Sequence, residues 1–494
     1  MRDANLFKTI PMSELPALSG GDPSCPLMEH QKRCIAAALE RGILYLRGGT
    51  GIGKTRIALE VIQAEKAAGN IRRTLIFTPS EMLSSQWGDQ ARKFTPSLNV
   101  VEVHGISRAE RQACLMEKAD VYLLHYPGVV SIFYRYPRIR GGPRENLIRS
   151  LFEESWTHFD ALVFDECHCL GNPRTYAWLV AVNLIRYARI KLAMTGTPFG
   201  KNPILLWSQM YLLDWGATLG KRLREYRLRF FVPIRNRFSP VPLWEFKKRK
   251  TGELRTILDP MVIDYEPDEC LDLPERTFIR IPIGMTDSMR NFYREVCERI
   301  QTEAIMGEDG IQANFVLRRQ ITAGFVRVRR GDSFCDHDLK DNPKLSGLMD
   351  LLDEIPRDKK IIVFHDFIHS GEIIEKELKR KGFSYLSLRG ETPDKPGQVK
   401  RFSEDDIQIL VANAATGGVG LNLQSANYIV YYESPVSVIV RAQSEGRIYR
   451  MGQNLKTFFY DLYITDSVDE QILDSVKEGK DLMQELFRHP EKMK

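Results

Sequence analysis

"LRGGTGIGKT", residues 46–55, is the feature that most narrows what this chain can fold into. It follows the apolar run "GILYL" and opens the helical pattern "RIALEVIQAEKAA". Short apolar runs that alternate with helices point to a parallel sheet with helices on both faces. The spacing of Gly48, Gly53, Lys54 and Thr55 matches GxxxxGK[ST]. Glycines let backbone N–H groups turn toward phosphate oxygens, and the helix N-terminus adds its positive dipole end. Gly48, Gly49, Thr50, Gly51 and Gly53 are therefore expected around a nucleotide's phosphates. Lys54 is expected to neutralise the outer phosphates, and the Thr55 hydroxyl to hold Mg²⁺.

The same alternation occurs twice. Residues 27–215 contain the strand-like runs "GILYLRG", "RRTLIFTP", "ADVYLLHY", "FDALVFDE" and "IKLAMTGTP". Residues 345–465 contain "KKIIVFHD", "FSYLSLRG", "IQILVAN", "NYIVYYE" and "TFFYDLYI". A chain of 494 residues is too long for one ordinary core, so two or three domains are expected. The expected division is an N-terminal extension (1–26), a first α/β lobe (27–215), a mainly helical insertion and linker (216–344), a second α/β lobe (345–465) and a C-terminal brace helix (466–494). That last helix is signalled by Ser467 with Glu470 three residues on, which reads as a capping box.

With 43% hydrophobic and 27% charged residues, the composition is that of a soluble globular protein. No apolar run reaches the length of a membrane span, and the N-terminus lacks an apolar signal core. A cytoplasmic or nuclear, non-secreted protein is expected, with no membrane partner. The eight cysteines include no CxxC pair, and one residue between Cys167 and Cys169 is poor zinc-knuckle spacing, so all are read as reduced. The net charge of +6 permits a nucleic-acid partner without establishing one.

A phosphate loop needs a metal-holding acid at the end of another strand, and "ALVFDECH" supplies it. Asp165 is expected to hold Mg²⁺ through water, and Glu166 to polarise the water that attacks a phosphoanhydride. "RAQSEGRIYRMGQ", residues 441–453, sets Arg447 and Arg450 three apart, a spacing that on a helix aims both guanidiniums the same way. Glu445 cannot pair with both. Arginines serve phosphoryl transfer by stabilising charge on the γ-phosphate. The simplest join is ATP held between the lobes, with Arg447 and Arg450 completing the site.

In this order the motifs resemble those of superfamily-two helicases and translocases, specifically the Swi/Snf-type ATPases, over roughly residues 27–485. "LMEHQ" looks like the glutamine motif, which implies that Gln31 reads adenine. "GGTGIGKT" resembles motif I, "IFTPSEMLSSQW" motif Ia, "DECH" motif II and "LAMTGTPFGKNPILLWSQMYLL" motif III with its family-specific extension. "IIVFHDFIHSGEIIEKEL" resembles motif IV, "ILVANAATGGVGLNLQSANYIVYYE" motif V and "QSEGRIYRMGQ" motif VI. The resemblance implies two RecA-like lobes, the cofactors ATP and Mg²⁺, and a nucleic-acid track across both lobes. Double-stranded DNA is the expected track, with single-stranded DNA or RNA as alternatives. Candidate backbone contacts are Thr78, Pro79, Thr195, Thr416, Gly417 and Gly418. Two basic clusters are further candidates: Lys247, Lys248, Arg249 and Lys250, expected at a hairpin tip, and Arg318, Arg319, Arg327, Arg329 and Arg330. The acidic "LDPMVIDYEPDECLDLPERT" stands where many relatives carry a basic "LRR"-like stretch. No chromodomain-, bromodomain- or SANT-like segment is visible, which is similar to viral or bacterial members. The leading expectation is a duplex-DNA translocase. The alternatives are a strand-separating DNA or RNA helicase and a nucleotide-gated clamp.

Overall fold

The computed structural model describes residues 26–49, 51–105, 107–135, 146–196, 203–234, 242–265, 267–270, 273–302, 308–330, 333–417, 423–450 and 452–478. The chain divides into two compact units, with the main boundary at Leu271/Asp272. The strands are β1 (Ile43–Gly48), β2 (Thr74–Thr78), β3 (Val100–Glu102), β4 (Val121–His125), β5 (Ala161–Phe164), β6 (Ile190–Thr195), β7 (Phe231–Ile234), β8 (Leu243–Phe246) and β9 (Val262–Tyr265). They continue with β10 (Arg276–Ile283), β11 (Phe325–Arg330), β12 (Ser333–Asp338), β13 (Ile361–His365), β14 (Tyr385–Leu388), β15 (Ile409–Asn413), β16 (Tyr428–Tyr431) and β17 (Thr457–Ile464).

The first unit is built on a seven-stranded parallel sheet in the order β3-β4-β2-β5-β6-β1-β9. Its central strands are buried at every position and mostly apolar because both faces are covered. Leu75, Phe77, Tyr122, Leu124, Leu162 and Phe164 join the core on one face. Their neighbours Ile76, Val121, Leu123, Ala161 and Val163 join the core on the other. The second unit has a six-stranded parallel sheet in the order β10-β17-β16-β13-β15-β14. All ten strand-like runs read from the sequence are strands. Among the described residues no helix is long and apolar enough to cross a membrane.

The stretch 216–344 departs from a mainly helical insertion. It holds the long helices Asp287–Thr302 and Glu308–Ala323, yet it also gives β9 to the first sheet, β10 to the second and the antiparallel pairs β7–β8 and β11–β12. β10, "RTFIRIPI", alternates half-buried and exposed positions, the signature of an edge strand. The acidic "LDPMVIDY" segment contributes β9, where Asp264 receives both Nε and Nη2 of Arg47 from the neighbouring β1. The final helix is described over Val468–Glu478. The Ser467 hydroxyl accepts from the N–H of Asp469 at 3.1 Å, whereas Glu470 reaches Asp466 N, one residue before the expected capping-box partner.

Candidate nucleotide site and nucleic-acid contacts

The phosphate loop leaves β1 at Gly48 and enters the helix Lys54–Ala67. Gly53, with φ 83°, occupies the N-cap in the left-handed region, and a Cβ there would strike the Gln31 amide. Lys54 folds back over the loop, donating to Gly48 O at 2.8 Å and Gly49 O at 2.9 Å. Loop and preceding helix are tied together at Ile52. Its carbonyl accepts from Gln31 Nε2 at 3.2 Å and bonds His30 Nε2 at 2.9 Å. Gln31 Oε1 accepts from Met28 N. The candidate adenine reader thus lies against the phosphate loop with both ends of its amide on protein partners. Thr55 is half-buried in the first turn of the helix, and Thr50 lies outside the described residues.

Asp165 and Glu166 follow β5, beside the loop. Asp165 Oδ2 accepts from the indole of Trp87 at 2.9 Å and Oδ1 from Glu166 N at 3.1 Å, while Tyr126 OH donates to its backbone carbonyl at 2.8 Å. Burial and the neighbouring Glu166 charge raise the Asp165 pKa. Glu166 takes the left-handed conformation, φ 48° and ψ 54°, which is uncommon for a non-glycine residue and held only where surroundings over-determine it. Those surroundings are visible. Glu166 Oε2 lies 3.2 Å from His168 Nδ1, accepts from Thr195 Oγ1 at 3.2 Å and from Gly196 N at 3.3 Å. Burial opposes ionisation of Glu166, but the His168 hydrogen bond and the Lys54 charge outweigh it and lower its pKa. Burial likewise opposes the His168 imidazolium, and hydrogen bonds to Cys169 and Glu166 raise its pKa to about 10. A methyl group placed on Gly196 would sit 3.6 Å from Glu166 Oε1, Gly48 O and Lys54 Nζ alike. Loop, acid pair and the end of β6 therefore converge on one point.

This donor set fits a magnesium nucleotide. A buried carboxylate whose pKa is raised by a neighbouring anion is relieved by a nearby dication, and Mg²⁺ typically takes one or two carboxylates, substrate phosphates and water. Among the described residues no cluster of three or more His, Cys, Asp or Glu could hold a metal by itself. Seven cysteines lie among the described residues, all free.

Arg447 and Arg450 lie in the second unit, and the helix expected to carry them stops short. It spans Val438–Glu445, and both arginines sit in the turns beyond it, because Gly446 is its C-cap. The turns are pinned through the backbone. Leu423 N donates to Arg447 O, and Arg450 O accepts from Gln453 N at 3.0 Å and Gln424 Nε2 at 3.3 Å. The Gln453 amide nitrogen in turn reaches Gln424 O and Ala426 O, each at 3.1 Å. Burial lowers the Arg450 pKa. Glu445 is engaged by a third arginine, Arg441, which also chelates Asp461 and lies 3.6 Å over the Tyr431 ring.

The nucleic-acid candidates fare unevenly. Thr195 is buried, and its hydroxyl serves Glu166 and His168 rather than a track. Thr78 is buried as well, its hydroxyl donating to Ser80 O at 3.1 Å, with Pro79 half-buried beside it. Thr416 and Gly417 fall in the short helix Ala414–Gly417 that ends β15, and Gly418 lies outside the described residues. Lys247–Lys250 do not form a hairpin tip. They follow β8 as a single 3-10 turn that leads directly into the helix Thr251–Leu258. Lys247 Nζ donates to Leu228 O and Lys250 pairs with Glu253, which leaves Lys248 and Arg249 as the stronger contact candidates. Arg318 and Arg319 are buried on the helix Glu308–Ala323, with Arg319 donating to Asp366 at 2.6 Å. Arg327 makes two 2.7 Å bonds to Asp336, and Arg329 stands exposed on β11. The side chain of Arg330 is outside the described set.

Sequence reasoning missed Trp87, Tyr126, Thr195 as a ligand of Glu166, and Arg441. The local signal for Trp87 was its place in "IFTPSEMLSSQW", but its partner is 78 residues away.

Comparison with known proteins yields two family matches. Residues 24–200 match the type III restriction enzyme, res subunit, and residues 343–452 match the helicase conserved C-terminal domain. Over 86% of its length the chain is 22% identical to the ATP-dependent DNA helicase DDM1 of Arabidopsis thaliana, covering 56% of that protein. Over 89% of its length it is 22% identical to the probable global transactivator of Orgyia pseudotsugata multicapsid polyhedrosis virus, covering 86% of it. It covers 25% of a third relative, Protein CHROMATIN REMODELING 5 of Arabidopsis thaliana, at 23% identity over 86% of this chain. The chain thus spans from a quarter to about half the length of these two plant relatives. The solved SWI2/SNF2 ATPase core of Sulfolobus solfataricus in complex with dsDNA aligns with a TM-score of 0.44 at 20% identity, over 94% of this chain and 93% of that one.

Proposed function

We propose that the chain is a Swi/Snf-type, nucleic-acid-dependent ATPase of helicase superfamily two and that it works as an ATP-driven translocase on double-stranded DNA, a reading supported by the motif order and by the two helicase-type family matches. It remodels protein–DNA complexes or branched DNA without having to separate strands. The observation that carries this reading is the clasp on Glu166. His168, Thr195 and Gly196 N hold the carboxylate in a strained backbone conformation beside Lys54. A pure binding clamp has no need of such an arrangement.

Lys54 and the loop N–H groups hold the phosphates, with Gln31, whose amide ties helix and loop together, as the candidate adenine reader. Asp165, through water, and Thr55 would hold Mg²⁺, which when bound neutralises phosphate charge. Glu166, kept ionised, accepts a hydrogen bond from the attacking water and orients it, while Arg447 and Arg450 stabilise charge on the γ-phosphate oxygens. The phosphate contacts that position the track come from the Thr416–Gly417 turn, Lys248 and Arg249, since Pro79 has no N–H to donate, and they carry no sequence information.

The test is steady-state ATP hydrolysis with blunt duplex DNA, single-stranded DNA and RNA in parallel. Blunt duplex without a tail should stimulate strongly, and the protein should displace the third strand of a triplex while leaving a tailed duplex mostly paired. Stimulation by single strands or RNA alone, or efficient unwinding of tailed duplexes, would replace this reading with the helicase one.

A further inference from the structure

The β11–β12 hairpin of the second unit is anchored at one end and exposed at the other. Its base is held on both faces. Phe325 is buried, with its ring edge-on to Phe367 and 4.9 Å from His369, and Val326 packs on the opposite face against the cluster of Met289, Tyr293 and Ile321. His369 Nε2 lies 2.7 Å from Asp338 on β12. The pairing register sets Arg327 opposite Asp336 and, one step further out, Arg329 opposite Phe334. Residues directly opposite in an antiparallel pair share a face. Phe334 is 65% exposed, and Val328 on the other face is 43% exposed.

A lone exposed apolar residue is ordinary. Three observations set this one apart. Phe334 has an arginine directly across the strand. It stands on a two-stranded ribbon, an element of marginal stability that gains nothing from an apolar group in water. The ribbon is also tied to the carboxyl edge of the second sheet. His369 follows β13 by a few residues, and Asn413, at the end of β15, donates to Asp366 O at 2.8 Å. Ligands of parallel sheets gather at that edge, and the Thr416–Gly417 turn proposed to grip a phosphate backbone begins there. An aromatic face beside a guanidinium is the chemistry that receives an unstacked nucleobase and its phosphate.

We propose that Phe334, with Arg329 across the strand, is a stacking platform for an unpaired nucleobase at a junction or fork in the DNA the protein holds. This rests on the DNA-binding reading above. It assigns the hairpin to recognising where a duplex branches, which requires that pairing already be broken there.

The test uses the full chain and two DNAs of equal phosphate number, a blunt duplex and a forked duplex carrying 2-aminopurine in an unpaired arm at the branch. Wild type should bind the fork more tightly and quench the 2-aminopurine. Phe334→Ala should lower fork affinity about tenfold and abolish the quench, while blunt-duplex affinity holds. Phe334→Trp should restore both, which separates stacking from folding. Equal affinity of wild type and Phe334→Ala for the fork would overturn the platform and leave the translocase reading standing. Equal losses on both DNAs would overturn it too, since the residue would then serve the fold or the backbone. A change in oligomeric state with fork affinity intact would assign Phe334 to a protein contact instead. Failure of wild type to bind either DNA would remove the translocase reading and the platform together.

Discussion

The two parallel sheets treat the N-terminus of a following helix in opposite ways. After β1, the first unit presents a glycine loop closed by Lys54, which donates to Gly48 O and Gly49 O, and the helix Lys54–Ala67 opens beneath it. After β13, the second unit enters the helix Ile368–Lys381 with its own anion already in place. The buried Glu433 carboxylate accepts from Asp366 N at 2.6 Å and Phe367 N at 3.3 Å, and also from the Ser370 hydroxyl. The Glu433 carboxylate satisfies the positive end of its helix, whereas the helix of the first unit is capped by Gly53 with no side-chain hydrogen bond. One leaves the place for a phosphate, and the other fills it with a side chain. The difference shows why a repeated architecture need not mean a repeated site. The chemistry proposed for the second unit lies instead in its arginine turns, backed by Gln453 and by the Arg441–Asp461 pair.

The largest expected effect tests whether the second unit contributes to hydrolysis at all. Arg447→Ala and Arg450→Ala should each lower turnover by ~10³-fold or more, with a much smaller change in nucleotide affinity. Near-normal turnover in both would confine the chemistry to the first unit. Within that unit, Glu166→Gln should keep nucleotide binding and lower kcat by about 10²-fold or more, whereas Lys54→Ala should abolish tight binding. Equal losses of affinity by fluorescent-nucleotide titration would contradict the division of roles. On the other side of the comparison, Glu433→Ala should destabilise the second unit by roughly 2–3 kcal/mol in denaturant unfolding, because buried N–H donors lose a charged acceptor. Nucleotide binding by the folded variant should survive, and an unchanged midpoint would mean the plug does not matter. Trp87→Phe should raise the Mg²⁺ concentration for half-maximal ATPase about tenfold, as expected for the loss of an outer partner to a ligating carboxylate. The smallest effect concerns the basic turn. Neutralising Lys248 and Arg249 together should reduce the slope of log affinity against log salt by about 0.9 for each phosphate that the turn neutralises. An unchanged slope would take that turn off the track.

What the sequence determined by itself was whatever local pattern encodes. Ten strands were legible because a sheet covered on both faces favours short, mostly apolar runs, and the phosphate loop and the Asp165–Glu166 pair because their spacing is fixed by contiguous backbone geometry. β10 escaped because an edge strand needs only alternate apolar positions, which its arginines disguise. Only the tertiary structure decided which polar groups meet. Thr195 serves Glu166 from 29 residues away, Trp87 serves Asp165 from 78, and Glu433 closes a helix end more than 60 residues distant. It likewise drew Arg318, Arg319 and Arg327 out of the pool of surface charge by supplying burial or a carboxylate to each. The physical reason is range. Periodicity and loop geometry act between neighbours along the chain, whereas burial leaves a polar atom needing a partner from whichever strand or helix the packing brings beside it.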